Sequence, residues 1–306
     1  VAEGSRIICF GDLIDDVVAI PFGPIRDDTD TPSSIRFLPG GSAANTAAWL
    51  GALGSPVDFV GAVGERDVAL HEAVLRGSGV TPHLAAAEGL PTGTIVIIVE
   101  GDNRHMLTER GGNSVLDPSS VTDELLEEAA VLHITGHTLL NDAGAPGIVD
   151  LIARAKAAGV TVSIAPGSAG FIADYGVEQF FTAIAGADIL FPSLEEGRLL
   201  TGRGTPELVA ASLAERFGTV ALTLGADGVA LAHGGLAMLV EAVEQGAGQR
   251  WSSRGHQAQP SGQQLAQAFQ ERCLRGEDRR VVECEPLRPV ELGELLPSAG
   301  SRRPLH

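Results

Sequence analysis

Short apolar runs that alternate with helix-length segments constrain this chain more than anything else in it. The runs RIICF (6–10), VDFVGAV (57–63), AAVLHIT (129–135), TVSIA (161–165), ADILF (187–191) and TVALTL (219–224) are strand-like. Segments such as HEAVLRGSGV (71–80), GIVDLIARAKAAGV (147–160) and ELVAASLAERFG (207–218) are helical and close on a glycine. A parallel strand pair needs a crossover of about a dozen residues, usually a helix. The alternation therefore predicts parallel βαβ units, an α/β fold whose doubly wound, mostly parallel sheet is flanked by helices. No period of about 20 to 50 residues repeats, which argues against a solenoid. With 306 residues the chain can build such a core without disulfide or metal staples.

Charge and residue usage narrow the partners. A formal net charge of −18 argues against nucleic acid or an anionic membrane, since a phosphate backbone demands a basic face. Small anions stay open, because helix N-termini bind phosphate without net positive charge. Lys156 is the only lysine and no G-x-x-x-x-G-K-[ST] occurs, so a lysine-based phosphate loop is excluded. Cys9, Cys273 and Cys284 show no metal-ligand spacing and are odd in number, which suits a reducing compartment. No stretch reaches the ~18 apolar residues of a membrane span, and the first residues lack a signal peptide's apolar region. The expectation is a soluble, cytoplasmic protein.

The stretch Pro39–Gly54, PGGSAANTAAWLGALG, carries the strongest hint of a site. Gly40 and Gly41 permit a sharp turn and let a ligand lie against the main chain. Asn45 is the polar side chain of the helix's first turn, expected to be buried and directed at the same spot. Ala47, Ala48 and Ala52 keep the helix thin enough to pack on a sheet. On these residues alone a tight loop explains the glycines equally well.

The pattern GG-x-x-x-N followed by A-x-x-L-x-x-L-G resembles the first signature of the ribokinase-like (PfkB) carbohydrate kinases. The stretches that follow keep that family's order and spacing to about residue 243. The resemblance implies transfer of the ATP γ-phosphate to a hydroxyl of a sugar or nucleoside, with Mg²⁺. It also implies a small β lid built from segments near 14–38 and 92–113, whose strands often pair between subunits, so that a homodimer is expected. Gly40, Gly41 and Asn45 match acceptor-binding positions, as does Asp16, five residues after Gly11, where a turn carboxylate is the alternative. In LFPSLEEGRLLTG (190–202), Glu196 matches the residue that organises the Mg²⁺ shell through water, with Ser193 where Asn is usual. S-x-x-E is also an ordinary capping box. Thr223, Gly225 and Gly228 match the turn beside the nucleotide, and an Asp-Gly hairpin explains them as well. Arg104 and Arg110 flank the lid segment, where either could reach an anionic substrate or simply be solvated.

Beyond about residue 243 the resemblance stops. The family's D-T-T-G-A-G-D segment, whose amides form an anion hole and whose last Asp is the general base, has no counterpart. An ungapped alignment puts Pro260-Ser261-Gly262-Gln263 at G-A-G-D, with Gln263 in place of the base and Pro260 where an N–H should face phosphate. Composition shifts at the same place: residues 1–245 carry 12 basic and 32 acidic side chains, whereas 246–306 carry 9 and 7. The expected organisation is a ribokinase-like domain over 1–245 and a divergent or partly disordered segment over 246–306. Two functions follow, a sugar or nucleoside kinase impaired by loss of the catalytic segment, or a catalytically inactive sugar- and nucleotide-binding protein. A dinucleotide oxidoreductase shares the α/β pattern but lacks G-x-G-x-x-G after the first strand.

Overall fold

The computed structural model describes residues 6–100, 103–234 and 236–240. In chain order the elements are β1 (Arg6–Phe10), β2 (Ile14–Pro21), β3 (Ser33–Gly40), α1 (Ser42–Ala52), β4 (Val57–Gly64), α2 (Val68–Gly77), β5 (Val80–Ala87), β6 (Gly93–Glu100) and β7 (Asn103–Glu109). They continue as α3 (Asp123–Glu128), β8 (Ala129–Thr135), α4 (Gly144–Ala157), β9 (Thr161–Ala165), α5 (Ala169–Tyr175), α6 (Val177–Ala183), β10 (Ile189–Leu190), α7 (Leu194–Thr201), α8 (Pro206–Phe217), β11 (Thr219–Thr223), β12 (Val229–His233) and β13 (Leu236–Val240).

The expected doubly wound sheet is present. It has nine strands in the order β13-β12-β11-β10-β9-β8-β1-β4-β5, parallel from β11 to β5 with antiparallel β12 and β13 at one edge. Alternation along β1 shows why both faces are covered. Ile8 and Phe10 join a core under α3 to α8 through residues such as Ile148, Phe180 and Leu213, while Ile7 and Cys9 pack with Ala43, Ala47 and Leu50 of α1 and Leu75 of α2. The order reverses at the middle: after β1 the chain builds β4 and β5 on one side, then returns at β8 and builds the other. The crevice at the carboxyl ends of β1 and β8 is thus a topological switch point, where open α/β sheets bind ligands.

The predicted lid is a second sheet in the order β3-β2-β6-β7. The unbroken apolar run Thr94–Val99 lies in β6, an inner strand of this sheet, and is half-buried along its length. Pairing puts Asp16, Leu38, Ile95 and Thr108 on one face, and Val17, Phe37, Val96 and Leu107 on the other.

Two expectations are corrected. Asn45 is exposed, and the buried polar residue of the first turn of α1 is its neighbour Thr46, whose hydroxyl donates to the Ser42 carbonyl at 2.9 Å. One helical step of about 100° separates a core-facing from an exposed position. The strand expected over 187–191 is only two residues long, because Asp188 turns back to accept from the Val162 amide at 2.8 Å and from Lys156. Gln263, Pro260 and the predicted segment 246–306 lie outside the described residues.

Candidate active site

The switch-point crevice is built from the loops that leave β1, β3, β7 and β8. After β1, Gly11–Leu13 crosses into the lid. The Asp12 carbonyl accepts the Ala44 amide of α1 at 3.3 Å. Asn113, fully buried after β7, fixes the same crossing: its Oδ1 accepts the Leu13 amide at 3.1 Å, and its Nδ2 donates to the Leu13 and Arg110 carbonyls at 2.8 and 3.2 Å. Asn113 was missed in the sequence, where its only signal is the G-G-N that follows the lid strand. A 100-residue separation hides such a contact from any local reading.

Asp16 and Gly40 lie against each other, Gly41 packs on the Asp12–Leu13 crossing, and exposed Asn45 follows one turn on, its amide donating to the Gly41 carbonyl at 2.9 Å. Asp16 and Asp15 point to opposite faces of β2, as strand alternation requires; Asp15 lies 3.6 Å from buried His71 of α2. A methyl group on Gly40 would stand 2.3 Å from Asp16 Oδ2, so only glycine leaves room for the carboxylate there. Gly41 opens α1 at φ 95°, a conformation that L-residues avoid. Burial, with a smaller push from Asp15, raises the Asp16 pKa to about 6. It therefore remains largely ionised at neutral pH and can accept two hydroxyl protons.

Asp12, Arg110 and His137 form a charged cluster that the sequence reading left unassembled. Arg110 donates to Asn141 Oδ1 at 2.6 Å and reaches within 3.5 Å of Asp12 Oδ1. Asp12 is 6% exposed. Burial pushes its carboxyl above the ordinary value, opposed by Arg110 and His137. Burial holds the His137 imidazole below its ordinary value, with Asp12 opposing and Arg110 assisting. Of the two flanking arginines, then, Arg110 is drawn into the crevice and Arg104 stays exposed on the lid.

The second group of predicted residues gathers at the ends of β10 and β11. Ser193 bridges to Thr223, which brings the N-terminus of α7 beside the turn after β11. The capping box is formed in full: the Ser193 amide donates to Glu196 Oε2 at 2.8 Å and the Glu196 amide to Ser193 Oγ at 3.3 Å. Glu196 is 8% exposed, and burial raises its pKa to about 6 against the lowering effect of Ser193. Gly225 and Gly228 take φ values of 66° and 100°, so the β11–β12 hairpin needs both on backbone grounds. A side chain at Gly225 would meet open space. The β1/β8 crevice and the β10/β11 ends stand two to four strand spacings apart along the sheet edge, ~10–19 Å.

Among the described residues no cluster of three His, Cys, Asp or Glu could hold a metal by itself. Glu196 alone still suits Mg²⁺, which is commonly held by one or two carboxylates together with substrate phosphates and water.

Known proteins agree with this architecture. The family model described as pfkB family carbohydrate kinase matches residues 5–247. A bifunctional protein HldE from Shewanella amazonensis is 32% identical over 227 residues, 70% of this chain and 44% of that protein. An ATP-dependent ribose-1-phosphate kinase from Halopiger xanaduensis is 31% identical over 209 residues, 67% of this chain and 66% of that protein. The chain thus spans less than two thirds of the length of these relatives. Among solved structures, adenosine kinase from Sinorhizobium meliloti superposes with a TM-score of 0.73 at 21% identity, covering 90% of this chain and 89% of that one. Fructokinase with bound ATP from Xylella fastidiosa superposes at 0.66 with 22% identity, covering 78% and 77%. The fold, the lid and the family model converge, and the chain belongs to the pfkB family of carbohydrate kinases.

Proposed function

We propose that the chain binds a sugar or nucleoside in the β1/β8 crevice and ATP at the β10/β11 end, as a kinase that moves the ATP γ-phosphate to an acceptor hydroxyl. The observation that carries the acceptor half is the Asp16 carboxylate seated where a Gly40 side chain would otherwise stand. Asp16, Gly40, Gly41 and Asn45 hold the acceptor; Thr223, Gly225 and Gly228 border the nucleotide. Glu196 orients the water shell of Mg²⁺, an ion that when bound would neutralise phosphate charge. The ATP-bound fructokinase supports the nucleotide half. The ribose-1-phosphate kinase raises the question whether the acceptor is itself phosphorylated.

The general base decides between turnover and binding alone. No G-A-G-D occurs in the sequence, and the aligned Gln263 cannot take a proton at neutral pH. Loss of a general base typically costs ~10² to 10⁴ in rate. Impaired transfer is therefore the primary expectation, and a binding protein without turnover is the alternative. Calorimetry with a sugar and nucleoside panel, run beside an ADP-release assay, separates them: binding without turnover selects the binding protein, robust turnover eliminates it, and no binding at all refutes both.

The lid carries a second proposal, a homodimer. Its face opposite Asp16 presents Ile35, Phe37 and Leu107 to solvent, at 58%, 78% and 61% exposure, beside half-buried Val96 and Ile98. A contiguous apolar face of this kind usually marks an interaction surface, and self-association covers it without another partner. A cytoplasmic setting agrees with Cys9 being a free, buried thiol. Among the described residues no helix is long and apolar enough to cross a membrane.

A further inference from the structure

Four connections join the lid to the large sheet: residues 11–13 before β2, Gly41 after β3, residues 88–92 before β6 and residues 110–113 after β7. All four converge on Asn113. This residue is fully buried and both hydrogens of its Nδ2 are committed, one to the Leu13 carbonyl and one to the Arg110 carbonyl, while Oδ1 accepts from the Leu13 amide. It therefore grips both backbone groups of the residue before Ile14, where β2 begins, and the first residue after β7. A methyl group on Gly93, the first residue of β6, would stand 2.3 Å from Asn113 Nδ2, and the Gly112 amide donates to the Pro91 carbonyl at 2.8 Å. A methyl group on Gly41 would stand 2.8 Å from the Leu13 Cα, so the entry to α1 rests on the residue that Asn113 holds.

We propose that Asn113 is a positioning residue for Asp16, the joint that fixes where the lid strand carrying that carboxylate leaves the body of the protein. This rests on the acceptor role assigned to Asp16 above. Leu13 hands directly to Ile14, which pairs with Gly40 on one side and Gly93 on the other. Asp16 lies two residues on, on the same face of β2, with its carboxylate in the space that a Gly40 side chain would fill. Strand β2 is laddered to β3 through eight residue pairs and to β6 through six, so a displacement at Leu13 travels along the lid as a unit. A binding group has to be held to within about 0.5 Å of its productive place, and a strand root gripped at both its N–H and its C=O meets that demand. A staple that served stability alone would, when removed, lower the unfolding free energy and leave the affinity of the folded protein untouched. A joint changes the affinity of the folded protein.

The test compares folded variants. Ribose, fructose and adenosine are titrated calorimetrically into the full chain and into Asn113→Ala, Gly93→Ala and the control Leu213→Ala, which opens a cavity in the core under α8; circular dichroism confirms that each is folded. Gly93→Ala reaches the joint from β6 without deleting the amide, so the question stays answerable if Asn113→Ala does not fold. Both joint variants are expected to lose about tenfold or more in affinity, because small misplacements of a positioned group are costly. Leu213→Ala should stay within about twofold of wild type, since distant sites act independently. Amide hydrogen exchange supplies a readout that needs no ligand. In Asn113→Ala it should accelerate together at all four connections, 11–13, 41, 88–92 and 110–113, with the β1–β8 ladder unchanged. Wild-type affinity in the folded joint variants, or a loss no greater than that of Leu213→Ala, overturns the proposal, as does exchange that accelerates at 110–113 alone. If no panel member binds the wild type, the acceptor reading falls and the exchange pattern alone decides whether Asn113 is the joint.

Discussion

Replacing Gly40 by alanine tests the acceptor site with the smallest change the structure allows. The new methyl would sit 2.3 Å from Oδ2 and 2.7 Å from Oδ1 of Asp16, where about 3.5 Å is comfortable. The carboxylate must retreat by ~1 Å. It lies at the end of a side chain with two free torsions, so the fold loses only ~0.5–1.5 kcal/mol of rotamer strain. For the ligand, hydrogen bonds near 2.8 Å stretch beyond their useful range. Losing one charge-assisted bond is worth ~1.5–3 kcal/mol, which weakens acceptor binding roughly 10- to 100-fold. Gly41→Ala is the contrast. There the methyl meets backbone, the Asp12 carbonyl oxygen at 2.4 Å and the Leu13 Cα at 2.8 Å, and φ is 95°. Nothing at the end of a flexible side chain can yield, so stability should fall by ~2–5 kcal/mol. Urea unfolding reads the stability and calorimetry reads the acceptor affinity. In an Asp16→Ala background Gly40→Ala should be neutral for binding, since no carboxylate remains to be displaced. Unchanged affinity in Gly40→Ala, or equal destabilisation by both alanines, would refute the geometry on which the site rests.

Four further outcomes are expected. Folded Glu196 holds its proton to about pH 6 against 4.5 unfolded, so the folded state binds the proton more tightly. Stability should therefore decline by ~2 kcal/mol as pH rises from about 4.5 to about 6 and then level off. Glu196→Gln, which keeps an acceptor for the Ser193 amide, should remove that slope in urea titrations across this range. At the opposite sheet edge burial pushes Asp58 up, but hydrogen bonds from His83 and Arg6 outweigh it and hold its carboxyl low. Its stabilisation is thus present above the ordinary carboxylate range and lost as pH falls through the lower folded value; Asp58→Asn should cost ~1.5–3 kcal/mol in urea unfolding while leaving acceptor affinity unchanged. Phe37→Asp should shift the sedimentation coefficient from dimer to monomer, and a wild type that sediments as a monomer would end the dimer proposal. ADP release should be near background in wild type and remain so in Gln263→Asp; a GAGD graft through 260–263 is the change expected to raise it, and strong wild-type turnover independent of residues 246–306 would show the catalytic centre to be elsewhere.

What the chain declared in advance depended on local pattern. The strand runs, the glycine-closed helices and the parallel order were legible because burial on both faces writes continuous apolar runs into parallel strands. The Glu196 capping box and the Asp227-Gly228 hairpin were legible because each is completed within a few residues. Short α5 and α6 escaped notice: seven-residue helices rich in phenylalanine carry too little period to read. Asn45 was expected to be buried because nothing in its neighbourhood sets which side of α1 meets the sheet; Ala43, Ala44 and Ala47 settle that only when packed. The cluster of Asp12, Arg110 and His137 belonged wholly to tertiary structure. Asp12, Arg110 and His137 come from three loops spread over more than a hundred residues. They meet because β1 pairs with β8 and because Asn113 ties the end of the lid to the start of β2. Sequence sets the chemical character of each group, but charge compensation is a property of distance, and only the folded sheet sets the distances.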